Sequence, residues 1–236
     1  MRVLVTRPEN SARRTAERLR GLGHEPVLLP LTRAVHHPQA AELALKQPHA
    51  ALAVTSSEAM RVLASLGEKL AQHLGKTIYA VGDATAKAAR ESGFLRVRTG
   101  PGTGSELAEL IVGEAPALAA PLLYLTGTPR SAAFEDGLRA GKVPFETAEI
   151  YEMAPVAYDG TTVRRILLRP PPDAVLLYSR ESARLFSDLA APHASALAST
   201  RFLCLSGNVA DAVPQDFHGN IKIADRPDED GLFALL

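Results

Sequence analysis

Thr6-Arg7, Thr55-Ser56-Ser57, Gly82-Asp83-Ala84-Thr85, Gly102-Thr103-Gly104-Ser105, Gly127-Thr128-Pro129-Arg130, Ser179-Arg180 and Ser206-Gly207-Asn208 each stand where a short β-rich run gives way to a helical pattern. In parallel α/β sheets, ligands lie outside the carboxyl ends of the strands, and helix N-termini there turn backbone N–H groups toward anions. Hydroxyl, amide and guanidinium groups at such places can hold an anion without any protein nucleophile. The same Ser, Thr or Asn can instead cap its helix. Both uses coexist, because a helix end offers more N–H groups than one cap fills.

Other chemistries lack their signatures. Gly100-Pro-Gly-Thr-Gly104 has no third glycine at dinucleotide spacing, and no Gly-x-x-x-x-Gly-Lys-Ser/Thr sequence occurs. Neither a Gly-x-Ser-x-Gly elbow nor a His-Glu-x-x-His pair is present. The adjacent His36-His37 has no cysteine or carboxylate at ligand spacing and reads as surface loop, so no metal is expected. The remaining histidines are scattered.

Lys+Arg and Asp+Glu both total 26, so no general basic field would draw nucleic acid or an acidic membrane. The lone Cys204, inside the apolar run Phe202-Leu-Cys-Leu205, reads as core filler and suits a reducing compartment. No charged-then-apolar leader opens the sequence, and the longest apolar stretch, around Ala115 to Leu125, is broken by Pro116 and Pro121. These features lead us to expect a soluble, cytoplasmic protein.

The elements that must position the polar clusters alternate. Arg2 to Thr6 reads as a strand, Pro8 opens a helix with Ala12, Ala16 and Leu19 on one face, and Gly23 stops it. Pro26 to Pro30 follows as a strand, then a loop from Thr32 to Pro38, a short helix near Ala41 and a buried strand Ala51–Thr55. A helix from Ser57 to Leu66, a strand at Ile78–Val81, an alanine-rich helix ending at Gly93, a strand Leu95–Arg98 and a helix from Ser105 through Val112 complete this half. The pattern predicts a mostly parallel sheet flanked by helices.

The remainder repeats it. Leu122-Leu-Tyr-Leu-Thr126 matches the first strand at an offset of 120 (Thr126 against Thr6), and Val175 to Ser179 matches the strand ending at Ser56 at an offset of 123. Leu138, Gly141 and Pro144 follow Leu19, Gly23 and Pro26. Phe202 to Ala212 lies on Ile78 to Ala88, and Asp230-Gly-Leu232 on Ser105-Glu-Leu107. Ordered repeats of this length predict an internal duplication.

The loop set resembles the uroporphyrinogen-III synthase family. Val3 to Pro8 matches its initial Val-Leu-Val-Thr-Arg-Pro, Thr55-Ser56 its Thr-Ser strand end, and Ala80 to Thr85 its Val-Gly-x-x-Thr turn. Glu106-Leu107 after a glycine-serine loop, Ile150-Tyr151, Tyr178-Ser179 and Ala224 to Pro227 continue the match along the chain. The resemblance implies two flavodoxin-like domains joined by two linkers. Placed on the repeat, it predicts residues 1–34 with 156–236 as one domain and 35–155 as the other, with hinge motion between them.

The resemblance also implies the reaction: linear hydroxymethylbilane loses its hydroxyl as water, its last ring is inverted through a spiro intermediate, and the macrocycle closes. Without the enzyme the substrate closes to the uninverted isomer, so the protein must chiefly select a conformation. No cofactor is implied, and the expected partner is this polycarboxylate substrate alone, bound by a monomer. By resemblance Tyr151, which reads as ending an apolar strand, assists departure of the hydroxyl, unless its ring merely packs in the core. Ser56, Thr85 and Ser179 carry over as substrate-binding positions. Arg7 and Arg130 are candidate carboxylate partners, with surface ion pairs as the alternative. Asn208 stands where members of the family can carry a threonine hydroxyl, and Glu58 stands where a basic residue would better suit an anion. Two rival readings remain open from the residues: a non-catalytic two-domain small-molecule-binding protein, and a nucleotide-sugar transferase that would lack a diphosphate motif.

Overall fold

The computed structural model describes residues 1–114 and 119–236. The apolar stretch that begins at Ala115 lies partly outside them. In chain order the strands are β1 (Arg2–Val5), β2 (Glu25–Leu28), β3 (Thr32–His36), β4 (Ala51–Val54), β5 (Thr77–Ala80), β6 (Arg96–Thr99), β7 (Leu122–Thr128), β8 (Phe145–Pro155), β9 (Ala174–Leu177), β10 (Arg201–Cys204) and β11 (Ile221–Ile223). The helices are α1 (Glu9–Gly21), α2 (Pro38–Leu45), α3 (Ser57–Ala64), α4 (Asp83–Glu91), α5 (Gly104–Glu114), α6 (Ala133–Ala140), α7 (Gly160–Leu168), α8 (Arg180–Ala190), α9 (Gly207–Ala210) and α10 (Glu229–Phe233). Among the described residues, no helix is long and apolar enough to cross a membrane.

The chain divides into two compact units. Unit 1 takes Met1–Arg33 with Ala154–Leu236, and unit 2 takes Ala34–Met153. The sheet of unit 1 runs β11-β10-β9-β1-β2, with every neighbouring pair parallel. The other sheet runs β3-β8-β7-β4-β5-β6, and its pairs from β8 to β6 are parallel. In each sheet a consecutive two-strand segment (β1 and β2, or β7 and β8) lies beside a consecutive three-strand run (β9 to β11, or β4 to β6) in the same order.

Helices on both faces of a parallel sheet explain why β4, Ala51-Leu-Ala-Val54, is buried at every residue rather than at alternate ones. Leu52 and Val54 join a cluster with Met60, Leu63 and Ile78, while Ala51 and Ala53 join one with Leu107, Tyr124 and Phe134. Each Leu- or Phe-sized side chain so buried stabilises the unit by about 1.5–3 kcal/mol relative to leaving it in water. In unit 1 the same division puts Leu4, Val175 and Phe202 on one face and Val3, Leu176 and Leu203 on the other.

Two expectations need correction. Thr32 to Pro38 is not a loop: most of it is β3, an edge strand whose half-exposed residues Thr32-Arg-Ala-Val-His36 carry no alternation of apolar and polar side chains to announce it. The flanking hydrogen bonds, His37 N–H to the Ile150 oxygen (2.8 Å) and Val156 N–H to the Leu31 oxygen (2.9 Å), run antiparallel to β8 and satisfy its backbone. Second, Tyr151 does not end a strand. β8 continues four residues past it to Pro155.

Candidate active site

The position of Tyr151 follows from an irregularity in the pairing of β7 with β8. Thr126 faces Glu149, but Gly127 faces Tyr151, so Ile150 is an extra residue. Such a bulge turns the side chains beyond it, and here Ile150 and Tyr151 enter the same core cluster instead of opposite faces. Gly127 is required for this. A Cβ there would overlap the Tyr151 ring, so the ring lies on bare backbone.

Tyr151 is 8% exposed. Burial raises its phenol pKa, the Ser56 hydroxyl pulls it down, and the Tyr124 phenol and Glu58 carboxylate push it further up. The group therefore keeps its proton at neutral pH and is a donor. Ser56 is also the N-cap of α3, its Oγ accepting from the Glu58 N–H at 3.1 Å. Glu58, in the first turn of α3, receives Arg61 and, at 3.0 Å, His36 Nε2.

A cavity of about 340 Å³ opens beside Tyr151, and Thr55, Tyr124, Thr126, Arg130 and Phe134 line it with that residue. Tyr124 is the hub of its polar wall: Thr126 Oγ1 donates to the phenol oxygen (3.0 Å), and Thr55 Oγ1 lies 2.8 Å from it. Phe134 packs against the Tyr124 ring at 4.5 Å between centroids. Arg130 donates to Glu135 (2.9 Å) and Glu149 (2.6 Å), and Glu135 also accepts from Arg139 (2.9 Å). Burial opposes ionisation of Glu135, but the two arginines prevail and hold its carboxyl below the ordinary range. A larger hollow of about 640 Å³ near Leu43, Ala44, Leu123 and Ala148 has no comparable hydroxyl cluster.

In unit 1 the corresponding strand end is filled. Glu229, at the start of α10, accepts from Arg7 (3.0 Å), Tyr178 (3.0 Å), Thr15 (2.5 Å) and Arg18 (2.6 Å). The Arg7 guanidinium lies over the Tyr178 ring, 4.4 Å from its centroid. Burial raises the Glu229 carboxyl pKa, yet its four donors outweigh this and leave it lowered. Among the described residues, no group of three or more His, Cys, Asp or Glu is placed to hold a metal ion.

Residues 13–234 match the family model for uroporphyrinogen-III synthase. The chain belongs to that family. Its fold is similar to a uroporphyrinogen-III synthetase from Helicobacter pylori, with 18% identity, 100% of this chain and 98% of the other covered, and a TM-score of 0.69. A mutant uroporphyrinogen III synthase from Thermus thermophilus is also similar, with 20% identity, coverage of 100% and 97%, and a TM-score of 0.52. No curated protein matches by sequence. The synthase is thus a lyase of tetrapyrrole biosynthesis that cyclises hydroxymethylbilane, a small-molecule substrate.

Four of the predicted site residues fall in unit 2. Tyr151 and Arg130 line one cavity, Ser56 adjoins Tyr151, and Thr85 is 5% exposed with its hydroxyl 3.5 Å from Ser57. The other three lie in unit 1 and have partners of their own. Arg7 holds Glu229. Ser179 is locked in a capping box with Ser182, and the Asn208 side-chain oxygen accepts from Arg180 at 2.9 Å. Tyr124 and Thr126 were not among the predicted site residues, and Gly127 was noted only as part of the Gly127–Arg130 cluster. Tyr124 and Thr126 sit two apart in a strand, on one face, and that spacing within an aliphatic run was the available signal.

Proposed function

We propose that Tyr151 donates its proton to the hydroxyl of hydroxymethylbilane as it departs. The pyrrole nitrogen supplies the electron pair that breaks the carbon–oxygen bond. The oxygen takes the phenol proton and leaves as water, and the proton lost when the macrocycle closes returns to the tyrosinate. The observation that carries this reading is the bulge at Ile150, which seats a buried, protonated phenol against Gly127 at the mouth of a cavity. Ser56, beside the phenol, favours the transient tyrosinate. Thr85 belongs to the same strand ends and binds a substrate side chain, as do Ser179 and Asn208 in unit 1. Arg7 and Arg130 serve first as ion-pair partners of Glu229, Glu135 and Glu149, and take a substrate carboxylate only in exchange.

The shared strand order of the two sheets supports an origin by duplication, with the segments exchanged where the chain passes between units. The buried Cys204, its thiol pushed up to about 12 by burial, supports a reducing cytoplasm. The reading takes the enzyme as a monomer that acts without nucleic acid.

Incubation with freshly made hydroxymethylbilane, followed by oxidation and isomer separation, tests it. The inverted isomer is expected. The uninverted isomer alone would overturn the reading. Tyr151→Phe removes only the hydroxyl and is expected to lower turnover by about 100-fold, the lower end for losing a general acid. Unchanged turnover removes Tyr151 from the chemistry.

A further inference from the structure

The hydroxyls of Thr55, Tyr124 and Thr126 form a closed count. Three hydroxyl protons serve two internal contacts, Thr126 to Tyr124 at 3.0 Å and Tyr124 with Thr55 at 2.8 Å. The alternative acceptor for Thr126, the Gly127 oxygen, is at 3.5 Å, the limit of a hydrogen bond, so the shorter contact takes its proton. The second proton goes between Tyr124 and Thr55, whichever way that bond points. One proton is left over, on Tyr124 or on Thr55, and both residues line the cavity that also exposes Tyr151. Tyr124 is 1% exposed and its ring is fixed against Phe134, so its oxygen cannot turn away to bulk water.

From this geometry we infer that the Thr55–Tyr124–Thr126 cluster is a second hydrogen-bond donor to the oxygen that leaves the substrate. The inference rests on the role proposed for Tyr151. A hydroxyl oxygen departing as water offers two lone pairs, one taking the Tyr151 proton and the other the spare proton of the cluster. A neutral acceptor suits the site better than a carboxylate does. Among the described residues Arg130 is the only cation lining the cavity, and it is occupied by Glu135 and Glu149, so a further negative charge there would be poorly offset. A departing hydroxyl gathers negative charge only in the transition state, where a preorganised neutral donor acts on kcat and not on binding.

Proton counting makes the test specific. Tyr124→Phe leaves spare protons on Thr55 and Thr126, and Thr55→Val leaves one on Tyr124, so each single variant is expected to lose about threefold or less in kcat. The triple variant Thr55→Val, Tyr124→Phe, Thr126→Val has no donor left in the cluster and is expected to lose about tenfold or more, beyond the product of its single changes, with KM unchanged. Placing Thr55→Ser and Thr55→Ala in turn on a background of Tyr124→Phe with Thr126→Val keeps the test independent of folding and of the proton that the Tyr124 change frees on Thr126. The two differ by one hydroxyl, and the serine version is expected to retain turnover that the alanine version loses. Equal kcat for those two, or an effect confined to KM, overturns the inference. If Tyr151→Phe lowers turnover while the cluster variants leave it alone, this inference fails and the role of Tyr151 stands. If the cluster variants lower kcat while Tyr151→Phe does not, the role of Tyr151 fails and the cluster is the donor.

Discussion

The two sheets share a strand order but treat their carboxyl ends in opposite ways. In unit 2 the ends of β4 and β7 present neutral hydroxyls around a cavity, and the bulge in β8 adds a protonated phenol. In unit 1 the ends of β1 and β9 are closed by Glu229 and its four donors, with Arg7 laid over Tyr178. The carboxylate there takes up Arg7, Thr15, Arg18 and Tyr178, groups that could otherwise have faced a ligand. One topology thus yields an open pocket with a wall of neutral hydroxyls and a strand end closed by an ionic cluster. The difference lies in the side chains at strand ends and in the bulge of β8, and the pocket proposed for proton transfer lies in unit 2.

The largest test of that contrast is Gly127→Ala. The added methyl cannot coexist with the Tyr151 ring. We expect a loss of at least about 100-fold in turnover, comparable with removing the phenol, for an overpacking cost of about 1–3 kcal/mol. Kinetics alongside chemical denaturation would separate the two effects, and full activity would mean that the seat of the ring is unimportant. Next, Glu229→Ala should act in the opposite sense. Losing the carboxylate leaves Arg7, Thr15 and Tyr178 without that acceptor, while Arg18 keeps Asp230, at a stability cost of about 2–3 kcal/mol in unit 1, below the fully buried case because the side chain is 18% exposed. Turnover per folded molecule should fall less than in Gly127→Ala.

Acid should separate the units. In unit 2, burial lowers the pKa values of the stacked rings of His49 and His73, whose centroids are 5.4 Å apart, and the Lys76 ammonium lowers both further. The unfolded chain takes up protons that these neutral rings refuse, so their contribution is whole above about pH 6.5 and is lost as pH falls below it. Glu229, with a lowered carboxyl, contributes fully above about pH 4.3 and loses that contribution only below it. Hydrogen exchange resolved by segment should therefore loosen unit 2 first. Loss of protection in unit 1 at the higher pH would refute the assignment. The smallest effect is in the caps. Ser182→Ala and Ser56→Ala should each cost about 1 kcal/mol, but only Ser56→Ala should also slow turnover, because Ser182 serves the capping box alone.

Much of this was legible in the sequence. Buried runs such as Ala51 to Val54 and stops such as Gly23 and Gly93 gave strands and helices, because a parallel sheet covered on both faces leaves apolar runs of strand length. β3 was not legible, since an edge strand held by backbone pairing needs no apolar pattern. Tyr151 was found by resemblance, yet its orientation depends on an extra residue in one strand opposite a glycine in another, a pairing with no sequence trace. Glu229 lies far along the chain from Arg7 and Thr15, so only the fold brings them together. Tyr124 read as one more apolar residue of a buried strand.

The split of unit 1 across the chain also sets an order of assembly. Unit 2 is continuous from Ala34 to Met153, so all its strands have left the ribosome while β1 still has only β2 beside it. The partner that places β1 inside its sheet, β9, emerges later, and Glu229 last of all. The nascent chain therefore completes the cavity of unit 2 first, and holds an apolar strand, Val3 to Val5, with one edge unpaired until β9 has been made. That strand is where a chaperone would be needed, and where slow translation would do most harm.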